Sequence, residues 1–508
     1  MPSPSQSAFR PAPRLAAVAG ACFCAVAALV ADGFAAAPSR LADAIERRDF
    51  PAARALLGDS AVNAAQVDGM TALHWAVHYD QVELARALLA AGADAKAANR
   101  YGVTPLSLAC TNGNAALVAA LLDAGADANT TLPGGETVLM TAARTGRLEP
   151  VRTLIARGAA VDARLGPNGQ TATMWAAAEG HAAVVEALIA AGADFRASVD
   201  TGLNALLFAA RAGHLEVVRV LHRAGADLNA ATQPTRTGRK LPPRGSTALT
   251  IAIENGRFAL ASLLLELGAN AAEMRSGYSP LHIISWIRKP DRGEDEGDPI
   301  PDDGTLVTSE QVIRQLVAKG ADVNARLAGG PSGGGRIARK GCTPFMLAAD
   351  TADTAYLKLL IELGADPTIT NVDQCTPLMA AAGLGTRSAG EEAGTDEEAV
   401  EAVGYLLSLG ADINAVSANG DTAMHGAAFA NFPKVVKFLD AKGADLAVWN
   451  RKNKRGWTPL MIAEGHRFGN FKPSFETIAA IKDVMLAHGF TPPPPTPPEA
   501  VKGYEAPN

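Results

Sequence analysis

The sequence predicts an all-α solenoid of about twelve helix-turn-helix repeats joined by β-hairpin or loop fingers. The first observation behind this is periodicity. A Gly-Ala-Asp-like tripeptide recurs at Gly92, Gly125, Gly158, Gly192, Gly225, Gly268, Gly320, Gly364, Gly410 and Gly443. Its gaps are 33, 33, 34, 33, 43, 52, 44, 46 and 33 residues, so five keep the base period and four carry insertions. The second is composition: apolar types make up 48% of the 508 residues but aromatics only 5%. Ala, Leu and Val therefore dominate, as in helices packed closely through small side chains. The third is that each period carries the same start, turn and stop signals in the same order.

The N-terminal segment has the form of a secretory signal, assigned to residues 1–37. Arg10 and Arg14 precede an apolar stretch from Leu15 to Val30, and small residues Ala35, Ala36 and Ala37 follow. The stretch is shorter than the roughly 20 residues that span a bilayer. Export to the periplasm or the extracellular space is the expectation, with no integral membrane segment left after cleavage; an uncleaved anchor or a lipoprotein are the alternatives. Cys22 and Cys24 lie in this segment. Cys110, Cys342 and Cys375 are too few and too scattered for a disulfide framework. Cys342 and Cys375 occupy equivalent positions 33 residues apart. Helix layers stack about 8 to 10 Å apart, beyond the Cα separation of a disulfide, so free thiols are expected.

Residues 38–489 form the repeat array. In Thr104-Pro105-Leu106, Thr343-Pro344-Phe345 and Thr376-Pro377-Leu378, the Thr hydroxyl can cap a helix and Pro fits its first position, where the missing N–H has no partner to lose. Paired small residues follow, such as Ala142-Ala143, Ala176-Ala177 and Ala209-Ala210, and let a neighbouring helix approach closely. Gly180-His181 and Gly213-His214 turn the chain. Val184, Val185, Leu188 and Ile189 then mark the buried face of a second helix, which Gly192 ends in a left-handed conformation. One such pair cannot bury its own apolar face, whereas stacked pairs share a core. Twelve layers at that spacing would extend on the order of 100 Å.

The register places insertions at 231–244, 288–308, 327–339 and 386–395. The first and third lengthen fingers, and the other two separate the helices of one repeat. The first is basic, with Arg236, Arg239, Lys240 and Arg244; the second is acidic around Glu294, Asp295, Glu296, Asp298, Asp302 and Asp303. Residues 490–508, with Pro492 to Pro495 and Pro497-Pro498, favour an extended polyproline spacer with no packed core.

Ser279-Pro280-Leu281-His282, Gly213-His214-Leu215-Glu216-Val217-Val218 and Gly320-Ala321-Asp322-Val323-Asn324-Ala325, together with the period, resemble the ankyrin repeat family over residues 39 to 489. With the leader, the chain looks like an exported, bacterial-type member. The first repeat, Leu41 to Asn63, lacks the Thr-Pro start, as a capping repeat would, and Gln374 stands where a fingertip glycine is usual. The resemblance implies that His74, His282 and His425 hydrogen-bond neighbouring loop backbone. It also implies that partners are held by the fingertips and by exposed positions of each repeat's first helix on the concave side.

No catalytic, cofactor or metal site emerges. His74 and His78 sit four apart, but no Cys or carboxylate completes a site. The run Gly329 to Gly335 is followed by Arg336-Ile337 and lacks the Lys-Ser or Lys-Thr of a phosphate loop. Asp291, Asp295 and Asp302 have calcium-loop-like offsets, yet Gly297 is one position late and no closing Glu follows. A net charge of -6 argues against a nucleic-acid partner. The expected function is a monomeric, non-catalytic scaffold for a protein partner. The alternative is a calcium- or ligand-responsive envelope protein acting through 288–308.

The position after the Thr-Pro-Leu-His signal reads Trp75, Leu108, Thr141, Trp175, Phe208, Ile251, Ile283 and Leu347. Three large aromatics in one series, with Tyr79 one turn beyond Trp75, nominate a concave stripe of Trp75, Tyr79, Leu108, Trp175 and Phe208. The opposing reading packs these side chains between helices.

Overall fold

Helices of 4 to 13 residues suffice for the array because neighbouring layers cover what one helix cannot bury. The computed structural model describes residues 39–58, 61–166, 169–235, 243–290, 306–329, 337–467 and 472–495. The chain divides into an N-terminal unit, ending at Pro242, and a C-terminal unit that begins at Pro243.

The N-terminal unit holds six helix pairs: α1 (Arg40–Glu46) with α2 (Phe50–Leu56), α3 (Ala72–His78) with α4 (Val82–Ala90), α5 (Pro105–Asn112) with α6 (Ala115–Asp123), α7 (Val138–Thr145) with α8 (Leu148–Ala156), α9 (Ala172–Glu179) with α10 (Ala182–Ala190), and α11 (Ala205–Ala212) with α12 (Leu215–Arg223). First helices stack on first helices from α1 to α11, and second helices on second helices from α4 to α12. Ala76, Ala109, Ala142, Ala176 and Ala209 are fully buried in the first row; Leu88, Leu121, Leu154, Leu188 and Leu221 are fully buried in the second. Thr71, Thr104, Thr137, Thr171 and Asn204 each accept the backbone N–H three residues on, so every first helix from α3 to α11 is capped by the side chain the sequence placed there.

Hydrogen bonds between layers use the repeat's signature residues. Asn129 donates to the carbonyl of Gly158 (3.1 Å) and accepts from the N–H of Ala160 (2.8 Å) in the next repeat. Asn63 does the same with Gly92 and Asp94. The Asn of one Gly-Ala-Asp-x-Asn thus closes the helix end of its neighbour. Gly146 and Gly180 turn the chain with positive φ, and the rings of His181 and His214 from the following repeats lie where a Cβ would be. Those histidines bond back through Nε2 to the carbonyls of Arg144 and Ala178, both at 3.0 Å. The Gly-His signal therefore works between repeats as well as at its own turn.

No β-strand is present among the described residues. The fingers are closed by isolated antiparallel bridges such as Ala65 with Thr71 and Ser198 with Asn204, and adjacent fingers are tied by single bonds, as from Arg100 N–H to the Asp68 carbonyl (2.8 Å).

The C-terminal unit also holds six pairs: α13 (Ala248–Glu254) with α14 (Phe258–Glu266), α15 (Pro280–Arg288) with α16 (Ser309–Ala318), α17 (Pro344–Asp350) with α18 (Thr354–Glu362), α19 (Pro377–Ala381) with α20 (Asp396–Ser408), α21 (Ala423–Ala430) with α22 (Pro433–Ala441), and, after the single turn α23 (Leu446–Trp449), α24 (Pro459–Ala463) with α25 (Phe475–Ala487). The described residues thus hold twelve pairs, and the register predicts about twelve.

Residues 386–395 lie between α19 and α20, where Glu392 accepts the N–H groups of Arg387 and Ser388. The ends of 288–308 are clamped: Arg288 donates to both carboxylate oxygens of Asp353 (2.7 and 3.2 Å) and to the Ser309 hydroxyl (2.7 Å). Asp353 in turn caps α18 by accepting from Tyr356 N–H (2.9 Å). The leader 1–37, residues 236–242, 291–305 and 330–336 of the insertions, and 496–508 of the tail lie outside the described residues, and with them the calcium-like series and most of the basic finger.

Gln374 makes the fingertip turn that glycine makes elsewhere. It holds φ at 58° and donates its N–H to the Asn371 carbonyl (3.1 Å), with its side chain exposed. A left-handed residue with a Cβ costs about 1 to 2 kcal/mol, partly offset by the extra unfolded-state freedom of glycine. Gln374→Gly should therefore raise the stability of the chain by about 0.5 to 1 kcal/mol in urea denaturation; a loss of stability would show that the Gln side chain contributes contacts of its own.

Candidate partner-binding face

The stripe position is the fourth residue of each first helix. Trp75, Leu108, Trp175 and Phe208 are half-buried there, in α3, α5, α9 and α11. Thr141 in α7 is buried, its hydroxyl donating to Glu136 (2.8 Å), and Glu136 faces Arg144 at 3.8 Å. The N-terminal unit thus offers four partly exposed apolar side chains with a polar interruption at the fourth pair, α7 with α8. In the C-terminal unit Ile251, Ile283, Leu347, Ala380 and Ile462 hold the same position and are buried. At Gly426, the equivalent in α21, the backbone of Leu384 and Met379 lies so close that no Cβ fits. The series nominated from sequence is therefore split, with exposure confined to the N-terminal unit.

Trp75 and Tyr79 stand at the head of the stripe. Their rings lie 5.8 Å apart at 20°, and the Trp75 indole N–H donates to the Gln66 side-chain oxygen (2.6 Å). Tyr79 is half-buried, meets Phe50 of α2 edge-on at 6.5 Å, and donates its hydroxyl to the Glu46 carbonyl (3.2 Å). The indole N–H of Trp175 is buried without a partner among the described residues. Phe50, Gln66 and Glu46 were not nominated from sequence. They come from the first repeat and the second finger, and no periodic signal marks them; only stacking brings them to α3.

The titratable groups serve the scaffold. His74 and His282 are fully buried. Each pairs Nδ1 with its own cap, Thr71 (2.8 Å) or Ser279 (2.7 Å), and Nε2 with a carbonyl of the next finger, Val103 (3.0 Å) or Cys342 (3.2 Å). His78 is exposed and does not share a site with His74. Burial pushes the His282 and His425 rings down to about 4 and lowers His74. Cys110, Cys342 and Cys375 are buried free thiols pushed up to about 12 by burial, so they are poor nucleophiles. Among the described residues no three His, Cys, Asp or Glu side chains are grouped to hold a metal ion, and no helix is long and apolar enough to cross a membrane.

A family model described as ankyrin repeats (3 copies) matches residues 41–132, 117–198, 139–233, 206–286 and 393–471, and one described as ankyrin repeat matches 340–372. No curated protein matches the chain. The unmatched stretches 287–339 and 373–392 contain all or part of three insertions.

Neutral buried histidines bind protons only after unfolding, so between about pH 6.5 and 4 the unfolded chain carries more protons than the folded one. Stability should fall as pH falls through that window, by up to about 1.4 kcal/mol per pH unit for each histidine. Urea denaturation between pH 7 and 4.5, repeated on His282→Gln, measures this; an equal slope in both chains would mean that His282 is not among the groups responsible. For the stripe, half-burial predicts that Trp75→Ala, Trp175→Ala and Phe208→Ala each cost about 1 to 2 kcal/mol while circular dichroism and cooperative melting persist. Unfolding of the triple variant would make these residues core.

Proposed function

The chain belongs to the ankyrin repeat family, and on that premise we propose that it is a non-catalytic scaffold holding a protein partner on the stripe of Trp75, Tyr79, Leu108, Trp175 and Phe208. Ankyrin repeats generally mediate protein–protein interaction. The observation that carries the choice of face is the contrast between units: the N-terminal unit leaves apolar side chains half-exposed at a register position that the C-terminal unit buries. Aromatic side chains that are preorganised and partly desolvated are the usual anchors of protein interfaces, because they bury much area with few rotors to immobilise. The buried low-basicity histidines and high-pKa thiols support a non-catalytic reading, since neither type is poised for proton transfer or attack at neutral pH.

The place of work in this proposal is the cell envelope or the secreted fraction, on the strength of Arg10, Arg14, the apolar run Leu15 to Val30 and the small residues at 35–37. The rival, a calcium- or ligand-responsive envelope protein, is supported by the acidic sequence of 288–308 alone. A calcium-dependent rise in melting temperature would favour it.

Crosslinking and affinity capture of the full chain in its native envelope, beside the folded Trp75→Ala, Trp175→Ala, Phe208→Ala variant, tests the scaffold. The expected result is a protein captured by the native chain and lost, by at least about tenfold, from the variant. A partner retained equally by both would remove the stripe from the interface.

A further inference from the structure

We propose that the head of the stripe is a seat for a guanidinium group, so that the partner presents an arginine side chain there, and that the chain's own Arg48 is the placeholder in its absence. The inference rests on the scaffold reading and narrows it to one partner chemistry.

The seat is made of ring faces. Trp75 of α3 and Tyr79, the residue that follows its last turn, lie nearly parallel at 5.8 Å and 20°. His78 meets both edge-on, at 5.6 and 4.8 Å, and Phe50 meets Tyr79 edge-on at 6.5 Å and 68°. Trp75, Tyr79 and Phe50 are half-buried and His78 is exposed, so the group stands at the surface and not in the core. The face of such a ring carries the negative end of its quadrupole and attracts a cation, a planar guanidinium best of all because it can stack.

Charge around the rings has the matching sign. Gln66 uses both ends of its amide. Its oxygen accepts the Trp75 indole N–H, and its NH2 group donates to Asp43 Oδ1 (2.9 Å) and Glu46 Oε2 (2.7 Å). Two carboxylates from α1 are thereby drawn to one neutral amide beside the aromatic group. Each carboxylate oxygen can accept more than one hydrogen bond, so accepting from Gln66 leaves capacity for the forked donors of an arginine. A purely apolar segment docking here would strip water from both carboxylates with nothing in return, which is why the geometry selects a cation.

Arg48 already shows what the seat takes. Its guanidinium carbon lies 4.6 Å from the centre of the Tyr79 ring. Arg48 is exposed, and its guanidinium has no carboxylate partner among the described residues. Its backbone is left-handed, φ 60°, at the turn between the two helices of a repeat, where four later repeats of this unit have Gly113, Gly146, Gly180 and Gly213. A bulky residue is thus held in a conformation that glycine adopts more easily, and its side chain lies over the ring that a partner would need.

The test is a titration of the full chain with the peptide acetyl-Gly-Ala-Arg-Ala-Gly-amide, with its citrulline twin, which keeps the shape and loses the charge, and with its lysine twin. The readout is the indole N–H signals of the 15N-labelled chain, the Trp75 signal being assigned with Trp75→Phe. Saturable movement of the Trp75 signal is expected with the arginine peptide and none with citrulline, with lysine weaker by about threefold or more. Arg48→Gly, which removes the placeholder, should tighten arginine binding by about three- to tenfold; Glu46→Gln and Tyr79→Leu should weaken it by a similar factor. Glu46 is exposed, so that variant reports even if Tyr79→Leu disturbs folding. Equal response to arginine and citrulline, equal response to lysine, or Arg48→Gly binding no more tightly than the native chain would overturn the guanidinium seat. A silent peptide titration combined with stripe-dependent capture of a partner would sink the seat and leave the scaffold standing. A guanidinium response with no stripe-dependent partner would do the reverse.

Discussion

Helices of 4 to 13 residues have too few internal hydrogen bonds to outweigh the cost of starting them, so none of these would persist alone in water. Everything else in the molecule depends on the remedy, which is to stack each pair against the next. The stacking is specified by more than apolar burial. Asn63 and Asn129 each satisfy a helix-end carbonyl and an N–H one repeat away. His74 and His282 join their own helix cap to the neighbouring finger, while His181 and His214 close a turn carbonyl of the repeat before. The polar groups that a short helix leaves unpaired at its ends are thereby satisfied by the next layer, and each layer is a template for the following one.

This arrangement explains why long insertions are tolerated. A loop between two layers, or between the helices of one layer, leaves the stacking contacts in place if its stems are held. In the second insertion the stems are held by Arg288, bonded to Asp353 and to Ser309 on the other side of the loop. Loop-closure entropy grows only slowly with length, so extra residues beyond such a clamp cost little. The solvent-facing side of the first helices is likewise free to vary. That freedom is where recognition can be written, because changing a half-buried side chain on that side leaves the interlayer hydrogen bonds intact.

The same physics sets the protonation state of the scaffold's buried groups. Burial without an opposite charge favours the neutral forms of its buried histidines and thiols, and it raises the Glu254 carboxyl to about 7. Reactive thiolates require the contrary environment.

The period, the Thr-Pro starts and the glycine stops were enough to place the helix pairs and the row of positions to which Trp75, Leu108, Trp175 and Phe208 belong. They suffice because they act locally: a cap, a left-handed turn and a 3.6-residue stripe are decided by neighbours in the chain. Whether a position in that row faces solvent is decided elsewhere. Ile283 and Trp75 carry the same signal, yet one is buried and the other half-exposed, since exposure depends on what adjacent layers and loops lay over the helix. The gathering of Phe50, Gln66, Glu46 and Arg48 around Tyr79 was equally invisible, because these residues come from separate elements and follow no period. Sequence determined the repeat; only the tertiary stacking decided which of its faces remained open and what chemistry met there, because both are properties of several chain segments at once.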